Sequence, residues 1–210
     1  MDAQPIGLSS ASVLAHCVLG ILDDMNCGGL LIDAGKRVLA LNTEAEKHVG
    51  HGIRLKGGHL HAAEARSDVD LQALLGMYLS GFARTANREA IGLLRVDKSP
   101  LLMRLVPLDE RAQDLLGGAR LICVLIDPEE CPQPSPALLQ QLFGLSRSEA
   151  AVAVGVMCGQ TLQEIAQGNN KTVGTVRAQT KSIFEKTQTS RQAELVGLLT
   201  RLAVISGKRP

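Results

Sequence analysis

The chain of 210 residues is 45% hydrophobic and 20% charged, a balance that places it among ordinary globular proteins and excludes the disordered and fibrous classes. Aromatic residues make up 2%, with no Trp, so the core must be aliphatic and the sequence offers no base-stacking platform for single-stranded nucleic acid. The formal net charge of +1 conceals an asymmetry: Gln141–Pro210 carries nine Lys/Arg against four Asp/Glu (+5), and the residues before it carry 13 against 17 (−4), the distribution expected of an acidic front with a nucleic-acid-binding tail.

In chain order, residues 9–24 read as a helix, with Leu14, Cys17, Val18, Ile21 and Leu22 at helical spacing. Gly28–Asp33 and Arg37–Leu41 read as strands joined by a turn at Ala34-Gly35-Lys36, and Asn42 as the cap of a helix over Thr43–Val49. Ile53–Leu55 and His59–His61 are short strands meeting at Gly57-Gly58, followed by a helix over Asp68–Ala86. Ala90–Val96 and Leu101–Pro107 flank Asp97-Lys98-Ser99-Pro100 as a hairpin, and Leu108–Gly118 reads as a polar loop. Arg120–Asp127, RLICVLID, is apolar enough to be a central strand, and the prolines of Pro128–Pro136 then break all regular structure. The predicted organisation is a front domain over 1–127, a linker over 128–137 and a second domain over 138–210.

From Ser146 onward the pattern is helical. Ser146 with Glu149 and Thr161 with Glu164 are two capping boxes, in which a hydroxyl caps the third amide and the glutamate reaches back. The first opens a helix ending at Gly159; the second opens a short helix through Gln167. Gly168-Asn169-Asn170 makes a turn, and helices follow over Val173–Lys186 and Arg191–Leu202. Val176, Ile183 and Phe184 form the packing side of the former. It carries the polar residues Thr175, Arg177, Gln179, Thr180, Lys181 and Lys186, with Lys171 and Thr172 at its entry; Arg and Gln can pair with base edges, Lys and Thr with phosphates, and the candidate DNA-binding residues are Lys171, Thr172, Thr175, Arg177, Ala178, Gln179, Lys181 and Ser182. Composition alone makes this only a solvated face.

The stretch Leu145–Leu199 resembles the LuxR-type C-terminal domain along its whole length, through Leu145, Ser146, Glu149, Gly159, Glu164-Ile165-Ala166, Thr175-Val176-Arg177, Lys181, Ile183, Lys186 and Ala193-Glu194-Leu195-Val196. The resemblance implies a four-helix helix-turn-helix unit whose third helix reads double-stranded DNA, with the positions of Arg177, Ala178, Gln179 and Lys181 facing the groove and the fourth helix supporting a homodimer. Three positions depart from it. Asn169-Asn170-Lys171 replaces an apolar–Gly–apolar corner at the expected loss of two core contacts, Gln179 replaces a frequent His, and Gly155 sits inside a helix where Ala would be better by about 0.5–1 kcal/mol.

The segment GGLLIDAGKRVLALNTEAEKHVG, residues 28–50, resembles the opening of a PAS-type domain, and the later strands suit its antiparallel sheet. The implied fold class is α+β, a PAS-like antiparallel sheet with flanking helices followed by an all-α four-helix helix-turn-helix domain. The implied function is that of a bacterial, cytoplasmic one-component transcription regulator answering an unidentified small-molecule ligand. A degenerate helix-turn-helix that sequesters a related regulator is the alternative.

Other readings are weaker. Asp23-Asp24 suggests a phosphate-receiver pocket, but no later strand-end Asp and Lys complete it, so these read as solvated carboxylates. His48, His51, His59 and His61 read as surface histidines rather than a metal site, because no Cys or carboxylate spacing completes one. Cys17, Cys27 and Cys123 read as small core residues, and all five cysteines as free thiols. No catalytic motif and no cofactor motif is present, so no enzyme activity is expected. Met1–Pro5 lacks the positive start of a signal peptide, and no apolar run approaches the ~20 residues that span a bilayer.

Overall fold

The computed structural model describes residues 10–81 and 90–205. The fold is mixed α+β, and the chain divides into two compact units, Met1–Glu130 and Cys131–Pro210.

The first unit is built on a five-stranded antiparallel sheet. Its strands are β1 (Gly28–Ile32), β2 (Val38–Leu41), β5 (Ala90–Arg95), β6 (Lys98–Pro107) and β7 (Leu121–Ile126), in the order β2-β1-β7-β6-β5. RLICVLID supplies the central strand, as its apolar run predicts: β7 pairs with β1 on one side and β6 on the other. The remaining strands, β3 (Ile53–Lys56) and β4 (His59–Ala62), form a separate hairpin. Alternation along the strands divides the sheet into two faces. Leu30, Ile32, Leu93, Leu101, Met103, Leu105, Cys123 and Leu125 pack with Leu71, Leu75 and Tyr78 of α3 (Ala65–Leu79) and with Ile53 and Leu60. Leu31 on the opposite face packs with Ala15 and Leu19 of α1 (Ser10–Asp24) and with Leu116 and Ala119. Each fully buried leucine contributes about 1.5–3 kcal/mol relative to exposure.

Asn42 joins these layers. Its Oδ1 accepts from the Gly29 amide at 2.7 Å and from the Ala45 amide at 2.9 Å, the second bond capping α2 (Thr43–Glu46). Its Nδ2 donates to the Cys27 carbonyl at 2.9 Å and the Leu19 carbonyl at 3.2 Å. The side chain is buried, and its four partners lie on α1, β1, α2 and, at Cys27, the connection between α1 and β1. Arg95 and Asp127 make a second internal tie, a bidentate pair at 2.6 and 2.7 Å with both side chains buried. The arginine's hydrogen bonds hold the Asp127 carboxyl at about 2.

Several elements differ from expectation. The helix placed at Asp68–Ala86 begins at Ala65, because Glu64 caps it through the Ser67 amide, and it ends at Leu79; residues 82–86 lie outside the described residues. The β5–β6 turn is Val96-Asp97 alone, with Asp97 at φ 54°, and Lys98-Ser99-Pro100 belongs to β6. The polar loop contains a helix, α4 (Glu110–Leu115), since Asp109 caps the Ala112 amide at 2.8 Å. Asp23 is not simply solvated: its carboxylate accepts from the Glu44 amide at 2.9 Å and the Thr43 amide at 3.3 Å, at the head of α2. Cys17 is exposed rather than in the core. His48 is buried rather than on the surface, and burial pushes its pKa down.

In the second unit, α6 (Arg147–Met157) packs against α5 (Pro136–Phe143), α7 (Leu162–Gly168), α8 (Val173–Thr187) and α9 (Gln192–Ile205). The described residues thus hold five helices here, not four. The additional one, α5, was hidden by its own Pro136, read as a breaker when it stands at the first turn behind the Ser135 cap, where proline favours a helix. The core joins Leu139, Leu145, Val152, Ala153, Val156, Ile165, Val176, Ile183, Leu195 and Leu199.

Gly155 lies where α6 meets α7. A methyl group there would stand 2.8 Å from Ile165 Cγ1 and 2.8 Å from Gln160 Oε1. The glycine therefore permits close helix packing, and the expected benefit of Ala is reversed in sign. Gly155→Ala should destabilise this unit by about 1–3 kcal/mol. A urea midpoint that rises in the variant would show that α7 can yield without cost.

Candidate nucleic-acid interface

Both capping boxes are closed. Ser146 Oγ accepts from the Glu149 amide while Glu149 accepts from the Ser146 amide at 2.7 Å; Thr161 and Glu164 repeat the arrangement, also at 2.7 Å. The corner between α7 and α8 does not lose its anchorage to the Asn169-Asn170-Lys171 sequence. Asn169 Nδ2 donates to the Ile165 carbonyl at 2.8 Å, the Lys171 amide donates to the Ala166 carbonyl at 2.8 Å, and Asn170 takes the left-handed turn at φ 53°. Backbone and amide bonds thus replace apolar contacts, and asparagine is well suited to that conformation. Thr172 then caps α8 through the Thr175 amide at 3.1 Å, and the two threonine hydroxyls lie 2.9 Å apart.

The inner side of α8 is fixed in two ways. Val176, Ile183 and Thr187 are buried, and Phe184 is half-buried against the same core. Beside them, polar side chains bind α6. Glu149 Oε1 accepts from Ser182 Oγ at 2.7 Å and Oε2 from Lys186 Nζ at 2.7 Å. Burial alone would raise the Glu149 pKa; the bonds from Lys186, Ser182 and Ser146 outweigh it and bring it down to about 2. Gln179 Nε2 donates to Ser148 Oγ at 2.5 Å, and Lys171 Nζ reaches both Ser148 Oγ and Gln179 Oε1, the latter at 3.1 Å.

The eight residues singled out from the sequence therefore fall into two sets. Thr172, Thr175, Arg177, Ala178 and Lys181 are exposed on one side of α8. Arg177 and Lys181, one turn apart, carry no side-chain hydrogen bond or ion pair among the described residues. Lys171, Gln179 and Ser182 are half-buried and bonded within the unit. Ser148, Glu149 and Lys186, which tie the helix down, were not singled out as site residues, although the Ser146–Glu149 box already marked the carboxylate.

In the first unit an open cleft of about 650 Å³ is lined by Gly50, Ala63, Leu94 and Val96 together with His51, Arg54, Glu64, Arg66, Lys98 and the Asp127-paired Arg95. The histidines do not converge: His61 Nδ1 lies 3.0 Å from Asp68 Oδ2 and His59 Nδ1 3.1 Å from the Gly57 carbonyl. Among the described residues, no group of three or more His, Cys, Asp or Glu side chains could hold a metal ion, and no helix is long and apolar enough to cross a membrane.

No protein-family model matches the sequence, and no curated protein matches it. Among solved structures, the chain is similar to the phage VqmA–DPO complex, at 14% identity over 94% of this chain and 93% of that one, with a TM-score of 0.39. It is also similar to the dimer of Vibrio cholerae VqmA, described as a LuxR-type receptor, in the absence of its target DNA, at 12% identity over 87% and 89% of the two chains and a TM-score of 0.30. The Vibrio cholerae VqmA–ligand–DNA complex follows at 13% identity over 86% and 84%, with a TM-score of 0.27.

Proposed function

We propose that the chain is a sequence-specific DNA-binding transcription regulator of the LuxR type, in which α7 and α8 form the helix-turn-helix and α8 enters the major groove. The observation that carries this reading is the exposed set Thr172, Thr175, Arg177, Ala178 and Lys181 on a helix whose opposite side is fixed by Val176, Ile183 and the Glu149 bonds. A rigid helix with unengaged cations outward meets the needs of groove recognition, since the backbone that carries them is already ordered before binding. In this reading Arg177 pairs with a base edge, Lys181, Thr172 and Thr175 contact phosphates, and Lys171, Gln179 and Ser182 hold the helix at its angle. The chain acts as a homodimer on a two-fold site, with α9 at the dimer contact. The first unit serves as the PAS-like sensory domain, in the cytoplasm of a bacterium, and its open cleft is large enough to admit a small molecule.

Selection of DNA from a random pool by the purified chain, at two salt concentrations, tests this directly. The expected outcome is a two-fold consensus whose affinity falls with salt. Arg177→Ala should weaken binding roughly 5- to 150-fold and relax the preference at one position, whereas Lys181→Ala should weaken all sequences alike and flatten the salt dependence. Unchanged affinity in both variants removes α8 from the interface.

One observation favours a second reading. The inward bonds of Lys171, just before α8, and the Lys186–Glu149 pair leave Arg177, Lys181 and Glu185 as the outward charges of this helix. A unit that pairs with a related regulator and withholds it from DNA would need no more, and would show heterodimers on mixing but no selected consensus.

A further inference from the structure

Two of the five cysteines meet in the second unit. Cys131 Sγ and Cys158 Sγ lie 3.1 Å apart across 27 residues of sequence, and Gln133 Nε2 donates to Cys158 Sγ at 3.4 Å. Among the described residues no other two cysteine sulfurs are in contact. Both anchor points are held by packed structure. Cys158 is the C-cap of α6, its amide bonded to the Val154 carbonyl, just before Gly159 turns at φ 75°. Cys131 opens the segment leading to α5, which is fixed by buried Pro134 and by the Ser135 cap, and α5 packs on α6. A disulfide needs the sulfurs to close to about 2.05 Å, an approach of about 1 Å that rotation of two exposed or half-buried side chains supplies.

We propose that Cys131 and Cys158 form a redox modification site: a reversible disulfide made by reaction with a hydroperoxide. Cys158, as thiolate, attacks the terminal peroxide oxygen; the O–O bond breaks, and the departing oxygen takes a proton to leave as water (or, from an organic hydroperoxide, as an alcohol). Cys158 is then a sulfenic acid. Cys131 gives up its proton, its sulfur displaces the hydroxyl group, and the S–S bond forms as a second water leaves. Two thiols are oxidised and one peroxide is reduced. The order follows from the surroundings. Gln133 Nε2 donates to Cys158 Sγ, which favours negative charge on that sulfur, whereas burial and the adjacent Cys158 sulfur raise the Cys131 thiol, which keeps its proton until the second step.

The bond would fasten the segment before α5 to the end of α6, beside the turn that leads to α7. It requires neither DNA binding nor the homodimer, so its test is independent of the function proposed above. The full chain is treated with hydrogen peroxide and unfolded in urea, all remaining thiols are blocked with iodoacetamide, and tryptic peptides are weighed. The expected product links Leu121–Arg147 to Ser148–Lys171, with Cys123 in the first peptide alkylated, and dithiothreitol separates them. Closing this loop should raise the melting temperature of the unit by roughly 10 °C, reversibly. Cys17→Ser should keep the linkage, and Cys131→Ser and Cys158→Ser should each abolish it. Alkylation of both Cys131 and Cys158 after peroxide treatment would overturn the proposal. So would over-oxidation of Cys158 without linkage, or linkage between two copies of the chain. The linkage map of the unsubstituted chain decides the matter even where a serine variant fails to fold.

Discussion

Glu149→Gln should destabilise the second unit by about 2–3 kcal/mol at pH 7, and the loss should shrink as the pH approaches 3. The carboxylate is buried, closes the α6 capping box, and receives Ser182 and Lys186 from α8. Gln keeps the volume but turns one acceptor into a donor that faces the Lys186 ammonium. The folded-state pKa of about 2, against an ordinary value of 4.5, means the charged form is stabilised by folding. A depressed carboxyl contributes stability that is fully present above the unfolded pKa and is lost as the pH falls from about 4.5 through about 2. The full shift corresponds to about 3 kcal/mol, reduced because Lys186 is partly solvated. Urea titrations of both proteins at pH 7 and pH 3 read the difference. An equal gap at both values would mean that packing, not charge, holds the helix. If α8 reads DNA, the variant should also bind its site more weakly than Lys181→Ala does, since the whole helix loses its seat.

The second large effect belongs to the first unit. Asn42→Ala should cost about 3–5 kcal/mol, since it removes the acceptor of the buried Gly29 and Ala45 amides and the donor to the Cys27 and Leu19 carbonyls, and so unties α1, β1 and α2 at once. Asn42→Asp keeps both acceptor bonds but sets a carboxylate against the Leu19 and Cys27 carbonyls, so it should recover less than half of that loss. Thermal unfolding followed separately in each unit, by a probe attached to Cys17 in one and Cys158 in the other, checks where the effect falls. A loss confined to the second unit would contradict the assignment. Recovery by Asp to the stability of the natural chain would show that the two acceptor bonds, from the Gly29 and Ala45 amides, are all that Asn42 contributes.

The local features of this protein were legible without a structure. Ser146–Glu149 and Thr161–Glu164 closed as capping boxes, Asn42 capped α2, RLICVLID became the central strand, and Val176 and Ile183 lay inward on α8. Each of these depends on residues within a turn or a strand of one another, where caps and periodicity act. The missed helices α4 and α5 were local too: Asp109 and Ser135 are ordinary caps, obscured by a polar composition and by prolines.

What only the tertiary structure decided involves partners far apart in the chain. Gln179 turns inward because Ser148, 31 residues away, stands at the neighbouring helix start, and Ser182 because Glu149 lies across from it. Gly155 is required by Ile165 on the next helix, against its own helix propensity. His48 is buried beneath its surroundings, and Cys131 meets Cys158 through the packing of α5 on α6. Sequence alone thus determined the elements, because helix caps and strand alternation are short-range. Packing decided which polar groups of α8 face outward, because a helix surface has no inside until a neighbour supplies one.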